Sequence, residues 1–362
     1  MLTFGFVTLN FKSEDSYFTE VAKHAWNYKI DCFRFVPSKI HPLTLKVNGE
    51  RYNHTKNMWE ESEFDIPHIL YDRCFYSEDD HSKKCKPIVS WLKKRPDLVF
   101  IGYGLPNKLK QYETLRKYQE IKPYIPPAEP ILHAENVIDY LEKQKKIIIK
   151  PINGSSGHGL YLLEKYDDGI VVKTEKQQLV SRFSLNKEKM MILLNKLLKQ
   201  RQYLVQPYFK LSDELLRPFD IRVLLQKDKN GQWTERGRGV RVGKENGLLS
   251  NLSAGAKVIS FETWIKNKNP LFKHFICTEI NEILSKLPII LEKEFPQLFE
   301  LGMDIGVAKD GAIWILDINS KPGRKVALQT NPLIKETLYS APLVHGLNVM
   351  TRIKKEREEI IE

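Results

Sequence analysis

Two apolar runs, Leu301–Val307 and Ala312–Ile318, are joined at Lys309-Asp310-Gly311, and this is the tightest constraint in the chain. Asp-Gly between apolar runs predicts a β-hairpin closed by a two-residue type I′ turn. With Asp310 and Gly311 as the loop, Asp304 falls directly opposite Asp317. Two carboxylates facing each other on one sheet face repel. A bound cation removes that penalty. Side chains alternate along a strand, so Asn319 shares the face of Asp317. Two carboxylates and an amide oxygen are hard donors that suit Mg²⁺ and leave room for waters and phosphate oxygens. The other reading of the same residues is a pair of solvated carboxylates on an edge hairpin.

A second segment, Ile147–Leu163, runs apolar strand, lysine, glycine-rich loop, apolar strand. Lys150 ends the first strand as a point charge suited to phosphate. Gly154, Gly157 and Gly159 let backbone N–H groups approach phosphate oxygens, and Ser155 and Ser156 add hydroxyl donors. Gly-Lys-Ser/Thr is absent, which excludes a Walker loop. A dinucleotide fingerprint would open into a helix; here a strand follows, so the loop reads as a flap over phosphates. Without a ligand, the same residues are a long hairpin.

Farther along, Gln206-Pro207-Tyr208 closes an apolar strand. Gln206 offers both donor and acceptor, as an adenine edge does, and Pro207 leaves neighbouring carbonyls free. Asp220 and Arg222 share a strand face, where Arg222 is either a phosphate or carboxylate fork or half of a structural pair. Arg236 and Arg238 share a face, whereas Arg241 has the opposite parity unless a bulge intervenes at Gly239. Ser250-Asn251-Leu252-Ser253 follows with small polar donors, fit for developing negative charge.

The chain has 362 residues, 42% hydrophobic and 28% charged, with net charge +12. That length supports two or three domains. The positive balance favours acidic partners such as nucleotides. No long basic run and no nucleic-acid module is visible, so no nucleic-acid partner is expected. No stretch approaches the ~20 apolar residues of a membrane span, so no membrane partner is expected. Cys32, Cys74, Cys85 and Cys277 lack Cys-x-x-Cys spacing and read as reduced, which predicts a cytoplasmic chain. Cys74, His81 and Cys85 match no zinc pattern. A hairpin turn is predicted at Asn48-Gly49, and amphipathic helices over 185–200 and 272–287.

In their order, Asn107-Lys108-Leu109, the Lys150 strand with its flap, Gln206-Pro207-Tyr208, Asp220-Ile221-Arg222, Asn251-Leu252, Asp304 and Asp317-Ile318-Asn319 resemble the ATP-grasp family. The wording of Leu249–Gly255 and Pro106–Pro127 is similar to its YheC/YheD-type endospore coat-associated members. The resemblance implies an α/β (α+β) ATP-grasp fold, in which two α+β subdomains clasp ATP behind a small α/β N-terminal domain. The divisions would be 1–105, 106–182 with the flap, 183–345 with the metal site, and a charged helix over 346–362. It implies that Lys108 and Lys150 contact phosphates, that Gln206, Pro207 and Tyr208 read adenine, and that Asp213 or Glu214 holds the ribose. Asp304, Asp317 and Asn319 would hold one or two Mg²⁺, with Mn²⁺ as a substitute. Arg222, Arg241 and Asn251 would serve the transferred phosphoryl group. Typical members carry Glu at position 317, and several related ligases carry Arg at position 302, which is glycine here. The implied activity is an ADP-forming ligase joining a small carboxylate to an amine or thiol. The alternative is an ATP-binding structural or regulatory protein of the spore coat. Coat proteins are then expected partners, and the mother-cell cytosol and coat the expected location.

Overall fold

The computed structural model describes residues 1–154, 157–176, 179–295 and 297–361. Among these, the strands form three sheets. The first holds β1 (Leu2–Val7), β2 (Ile30–Phe35), β3 (Lys46–Asn53), β4 (Met58–Asp65), β5 (Ile69–Asp72) and β6 (Val99–Ile101), in the order β4-β3-β2-β1-β5-β6. Helices α1 (Asp15–Ala25) and α2 (Asp80–Lys93) belong to this unit. After α3 (Lys108–Leu115) comes the second sheet: β7 (Glu129–Pro130), β8 (Lys146–Pro151), β9 (Tyr161–Tyr166), β10 (Gly169–Lys176), β11 (Leu179–Leu185) and β12 (Tyr203–Pro207). Its order is β11-β10-β9-β8-β12-β7, with α4 (Ala134–Gln144) and α5 (Lys187–Gln200) packed on it. The third sheet holds β13 (Phe219–Lys227), β14 (Trp233–Val242), β15 (Lys257–Ser260), β16 (Glu300–Val307) and β17 (Ile313–Asn319), ordered β15-β14-β13-β16-β17. Helices α6 (Phe261–Lys266), α7 (Pro270–Glu294), α8 (Lys325–Thr330) and α9 (Lys335–Ile361) complete the chain.

Both amphipathic helices form. Ile276, Ile280, Ile283 and Leu287 of α7 are fully buried, as one apolar stripe at helical spacing requires. On α5, Met190, Leu194 and Leu197 turn inward.

The predicted turn at Asn48-Gly49 is wrong. β3 runs straight through both residues. A Cβ at Gly49 would lie 2.5 Å from the Arg34 carbonyl oxygen, so the glycine serves close backbone approach. The reversal comes after Asn53, whose side chain accepts from the N–H groups of Thr55 and Lys56.

The opening hairpin forms, with a different turn. Ala308 and Ala312 close the loop: the Gly311 N–H donates to the Ala308 carbonyl at 3.0 Å, and Gly311 has φ +90°. Three loop residues rather than two shift the pairing by one, so Ile305 faces Ile315. A bulge at Leu316 shifts it back, and Asp304 faces Asp317 after all. The predicted pairing holds because two one-residue departures cancel.

The first and third sheets share an apolar core that includes Phe4, Tyr71, Leu224, Phe299 and Leu338. Buried charges cross the same junction. Glu300 of β16 accepts from Arg73 at 2.6 Å, from Arg324 at 2.9 Å and from Gln226 at 3.1 Å. Arg73 also grips Glu14 at 2.7 Å. Helix α9 is continuous from 335, and its Leu347, Met350 and Ile353 pack into this shared core. No helix among the described residues is long and apolar enough to cross a membrane.

Candidate active site

The three units enclose one cleft of about 1630 Å³. Most of the sequence-predicted residues line it: Lys108, Lys150, Gly154, Gly157, Gln206, Tyr208, Arg222, Arg241, Asn251, Asp304, Asp317 and Asn319. Ser155 and Ser156 lie outside the described residues. Gly159 sits beside the cleft, against Pro151 and Tyr203, and Pro207 pairs with Ile147 at the strand end.

Lys150 reaches the cleft because β8 alternates, with Lys146, Ile148 and Lys150 on one face. Its ammonium donates to the Tyr112 hydroxyl at 3.0 Å and to the Leu316 carbonyl at 3.3 Å. That carbonyl belongs to the bulge residue. The Tyr112 hydroxyl also donates to it, at 2.9 Å. Burial brings the Lys150 amine down to about 8, against the attraction of Asp317. β8 and β9 are antiparallel, so the glycine-rich segment lies between two antiparallel strands, as the flap reading requires. It reaches across the cleft, where a Cβ at Gly157 would lie 2.7 Å from Asn251 Nδ2.

On the third sheet, Asp220, Arg222, Arg241 and Asp304 share the cleft face. The pairing is unbroken from Gly237 to Val242, so Arg241 keeps the parity opposite to Arg238; the bulge lies at Arg236, not at Gly239, and parts Arg236 from the face of Arg238. Gly239 instead admits α8, since its Cβ would meet Val326 and Thr330 at 2.7 Å. Arg238 turns away to Glu235 and Asn281. Asp220 receives a two-pronged grip from Arg241 at 2.7 and 2.6 Å, and Ser250 donates to it at 2.7 Å. Arg241 also reaches Asp304 at 2.9 Å, and Arg222 bonds the other Asp304 oxygen. Burial works to raise the Asp304 carboxyl, but the charges of Arg222 and Arg241 prevail and hold it below its usual range. Gly302 explains where Arg222 fits: a Cβ there would lie 3.3 Å from the guanidinium carbon.

Lys108 bridges the flap and the hairpin. Its ammonium donates to the Gly154 carbonyl at 2.7 Å and stands 2.9 Å from Asp317 Oδ1. The latter contact is an ion pair by distance but is not aligned as a hydrogen bond, so this buried oxygen accepts none. Asn319 donates to the other Asp317 oxygen at 3.2 Å. At the far end, the Oε1 atom of buried Gln206 is likewise without a hydrogen-bond partner. The Tyr208 N–H is already committed to the Lys146 carbonyl at 3.1 Å.

Asp213 and Glu214 do not line the cleft. Arg217 turns the Asp213 carboxylate back into its own loop, at 2.8 Å, where it also accepts from two backbone N–H groups. The Asp213 carboxylate is thus engaged within its own loop. Sequence reasoning missed Lys146, which lies over the Tyr208 ring and pairs with Glu164 at 3.1 Å. It also missed Lys173 and Glu175 on β10. Glu175 accepts from the Leu248 and Leu249 N–H groups at 2.8 and 3.0 Å, while Lys173 donates to the Asn246 and Gly247 carbonyls. Period-two alternation was the signal available for both strands.

Residues 97–347 match the family model described as YheC/D-like ATP-grasp. The chain belongs to that family. It is 39% identical over 352 residues to the endospore coat-associated protein YheC of Bacillus subtilis (strain 168), covering 95% of this chain and 94% of that one. The corresponding protein YheD is 23% identical over 324 residues, 89% of this chain and 68% of that one. Among solved structures, D-alanyl-alanine synthetase A of Vibrio cholerae superposes with TM-score 0.55 at 11% identity, covering 97% of this chain and 98% of that one. The ATP-grasp ligase PsnB with a minimal precursor gives 0.53 at 13%, covering 95% and 99%. These likenesses show the ATP-grasp fold, as the sequence resemblance implies.

Proposed function

We propose that this chain is an ATP-dependent ligase that activates a carboxylate as an acyl phosphate and passes it to an amine or thiol. The observation that carries the reading is the pairing of Asp304 with Asp317 in the same cleft as Lys150, with Asp317 Oδ1 buried, accepting no hydrogen bond and balanced by the Lys108 ammonium at 2.9 Å. A buried carboxylate oxygen that accepts no hydrogen bond, beside a second carboxylate and an amide, fits a divalent cation. Asp304, Asp317 and Asn319 would hold one or two Mg²⁺, or Mn²⁺ in its place, and the ion would neutralise phosphate charge. Among the described residues no cluster of three or more His, Cys, Asp or Glu could hold a metal, so water and phosphate oxygens complete the shell.

Gln206, with its free acceptor, receives the adenine amine. Lys150, Lys108 and the flap N–H groups hold the phosphates. A carboxylate oxygen of the substrate attacks the γ-phosphorus, the bond to the bridging oxygen breaks, and ADP leaves with the electron pair. The amine or thiol then attacks the carbonyl carbon and expels phosphate, losing its proton. Arg222, Arg241 and Asn251 face the transferred group, and preorganised charge of this kind lowers the barrier without covalent chemistry. The names of its relatives support a place at the spore coat.

The test is ADP release with paired amino acids and short peptides, together with hydroxylamine trapping of the acyl phosphate. Substrate-stimulated ADP and a hydroxamate are expected. Neither product from folded, ATP-saturated protein would mean that the chain binds nucleotide without turnover.

A further inference from the structure

The cleft is larger than the ~300–1,000 Å³ of a typical small-molecule site, and its two halves differ in charge balance. In the nucleotide half most cations are matched: Lys108 by Asp317, Arg222 and Arg241 by Asp304 and Asp220, Lys146 by Glu164. Lys150 is left for phosphates, since its partners are neutral oxygens. The other half is walled by the first sheet and α2. There Asp72 is buried between two lysines, Lys93 at 3.0 Å and Lys321 at 2.8 Å, which leaves one positive charge over. Glu14 is committed to Arg73. Lys83 has only exposed Asp80, at 3.7 Å, while Lys86 and Lys325 have no charged partner among the described residues. Glu78 and the α2 cap Asp79, which holds Ser82, are the acids here with no ion pair among the described residues. Exposed Phe75 and Tyr76 supply aromatic faces between these lysines. The floor joining the halves is open: a Cβ at Gly323 would meet nothing within 4 Å, and at Gly104 only Ser320 Oγ at 4.0 Å.

We propose that this wall, with Lys83, Lys86, Lys321 and Lys325 around Phe75 and Tyr76, is the subsite for an extended acidic peptide whose carboxylate enters the nucleotide half. The fate of the bound peptide rests on the ligase reading; its binding does not. Lys86 and Lys325, with the positive charge left over where Lys93 and Lys321 share Asp72, supply attraction for a chain of carboxylates, and the aromatic faces cover its methylenes and backbone. One carboxylate passes along the glycine floor toward Asn319 at the edge of the proposed cation site.

The experiment is fluorescence anisotropy of labelled hexaglutamate on the full chain, against hexaglutamine and an oligothymidylate of similar length. Hexaglutamate is expected to bind at least about tenfold tighter than either, and to weaken with salt as exposed charge attraction does. Lys83→Glu with Lys86→Glu should weaken it at least about tenfold while ATP-analogue affinity, read separately, stays constant; both positions are exposed, so folding is retained. Equal binding of hexaglutamine or oligothymidylate, or indifference to the double charge reversal, overturns the subsite. ADP release read in parallel separates the two claims. Hexaglutamate binding without any turnover removes the ligase reading and leaves the subsite. Turnover with an uncharged substrate and no hexaglutamate binding does the reverse.

Discussion

The third sheet meets its two neighbours in opposite ways. Toward the first sheet the junction is buried throughout: Arg73 and Glu300 are fully inaccessible, Arg324 lies over the Tyr17 ring, and apolar side chains from both sheets share one core. Toward the second sheet, the flap-side contacts are polar: Glu175 and Lys173 hold the backbone of 246–249, and Lys108 links Gly154 to Asp317. Most apolar residues of 131–205 keep a core of their own, while Ile152 and Leu204 join the core of the third sheet. Separating the first junction strands buried charges, which costs far more than releasing surface bonds to water. The first sheet and the Asp304–Asp317 hairpin should therefore move as one body, with the second sheet as the part that opens.

Four experiments bear on that contrast. The largest effect is expected from Glu300→Ala, which leaves Arg73 and Arg324 facing each other without their shared carboxylate. A loss of about 3–5 kcal/mol in urea denaturation is expected, and a loss below ~1 kcal/mol would break the comparison. Glu175→Ala should cost less, about 1–3 kcal/mol for two unsatisfied N–H groups. It should speed hydrogen exchange at Leu248 and Leu249 while leaving that of the first sheet unchanged. Faster exchange in both places would mean that the two junctions are coupled.

The third experiment concerns pH. The buried amine of Lys150 titrates near 8 against 10.5 unfolded. Between those values the unfolded chain binds more protons, so stability of the nucleotide-free protein rises with pH across this window. Nucleotide affinity runs the other way, because phosphate requires the ammonium. It should fall above pH 8, approaching about tenfold per pH unit, and Lys150→Arg should flatten the profile because arginine stays charged. An unchanged slope in that variant would remove Lys150 from the phosphate site. The smallest stability effect is expected from Asp317→Ala. Arg222 and Arg241 already neutralise Asp304, so relief of repulsion should change nucleotide-free stability by less than about 1 kcal/mol. The extra thermal shift that Mg²⁺ adds to ATP should vanish, and its persistence would remove Asp317 as a ligand.

Local periodicity made the strands, α5, α7 and most of the cleft residues legible, because alternation fixes which side chains share a face. Features that depend on distant contacts were hidden. Gly49 looks like a turn until Arg34 is known to pass behind it. No sequence pattern announces that Arg217 holds the Asp213 carboxylate in its own loop. Arg73, Glu300 and Arg324 lie far apart in the chain, and nothing local announces that they meet. The compensation between the Lys309–Gly311 loop and the Leu316 bulge was equally unreadable, since each alone would have turned Asp317 to the opposite face.

The Leu316 bulge has a mechanical consequence. One surplus residue frees a carbonyl from the ladder, and that oxygen tethers the tip of Lys150, which is rooted in a different sheet. A rigid plate turning about a hinge displaces points near its axis least. Were the second sheet to turn as such a plate, an axis passing near this contact would let its rim swing wide while the Lys150 ammonium kept its place.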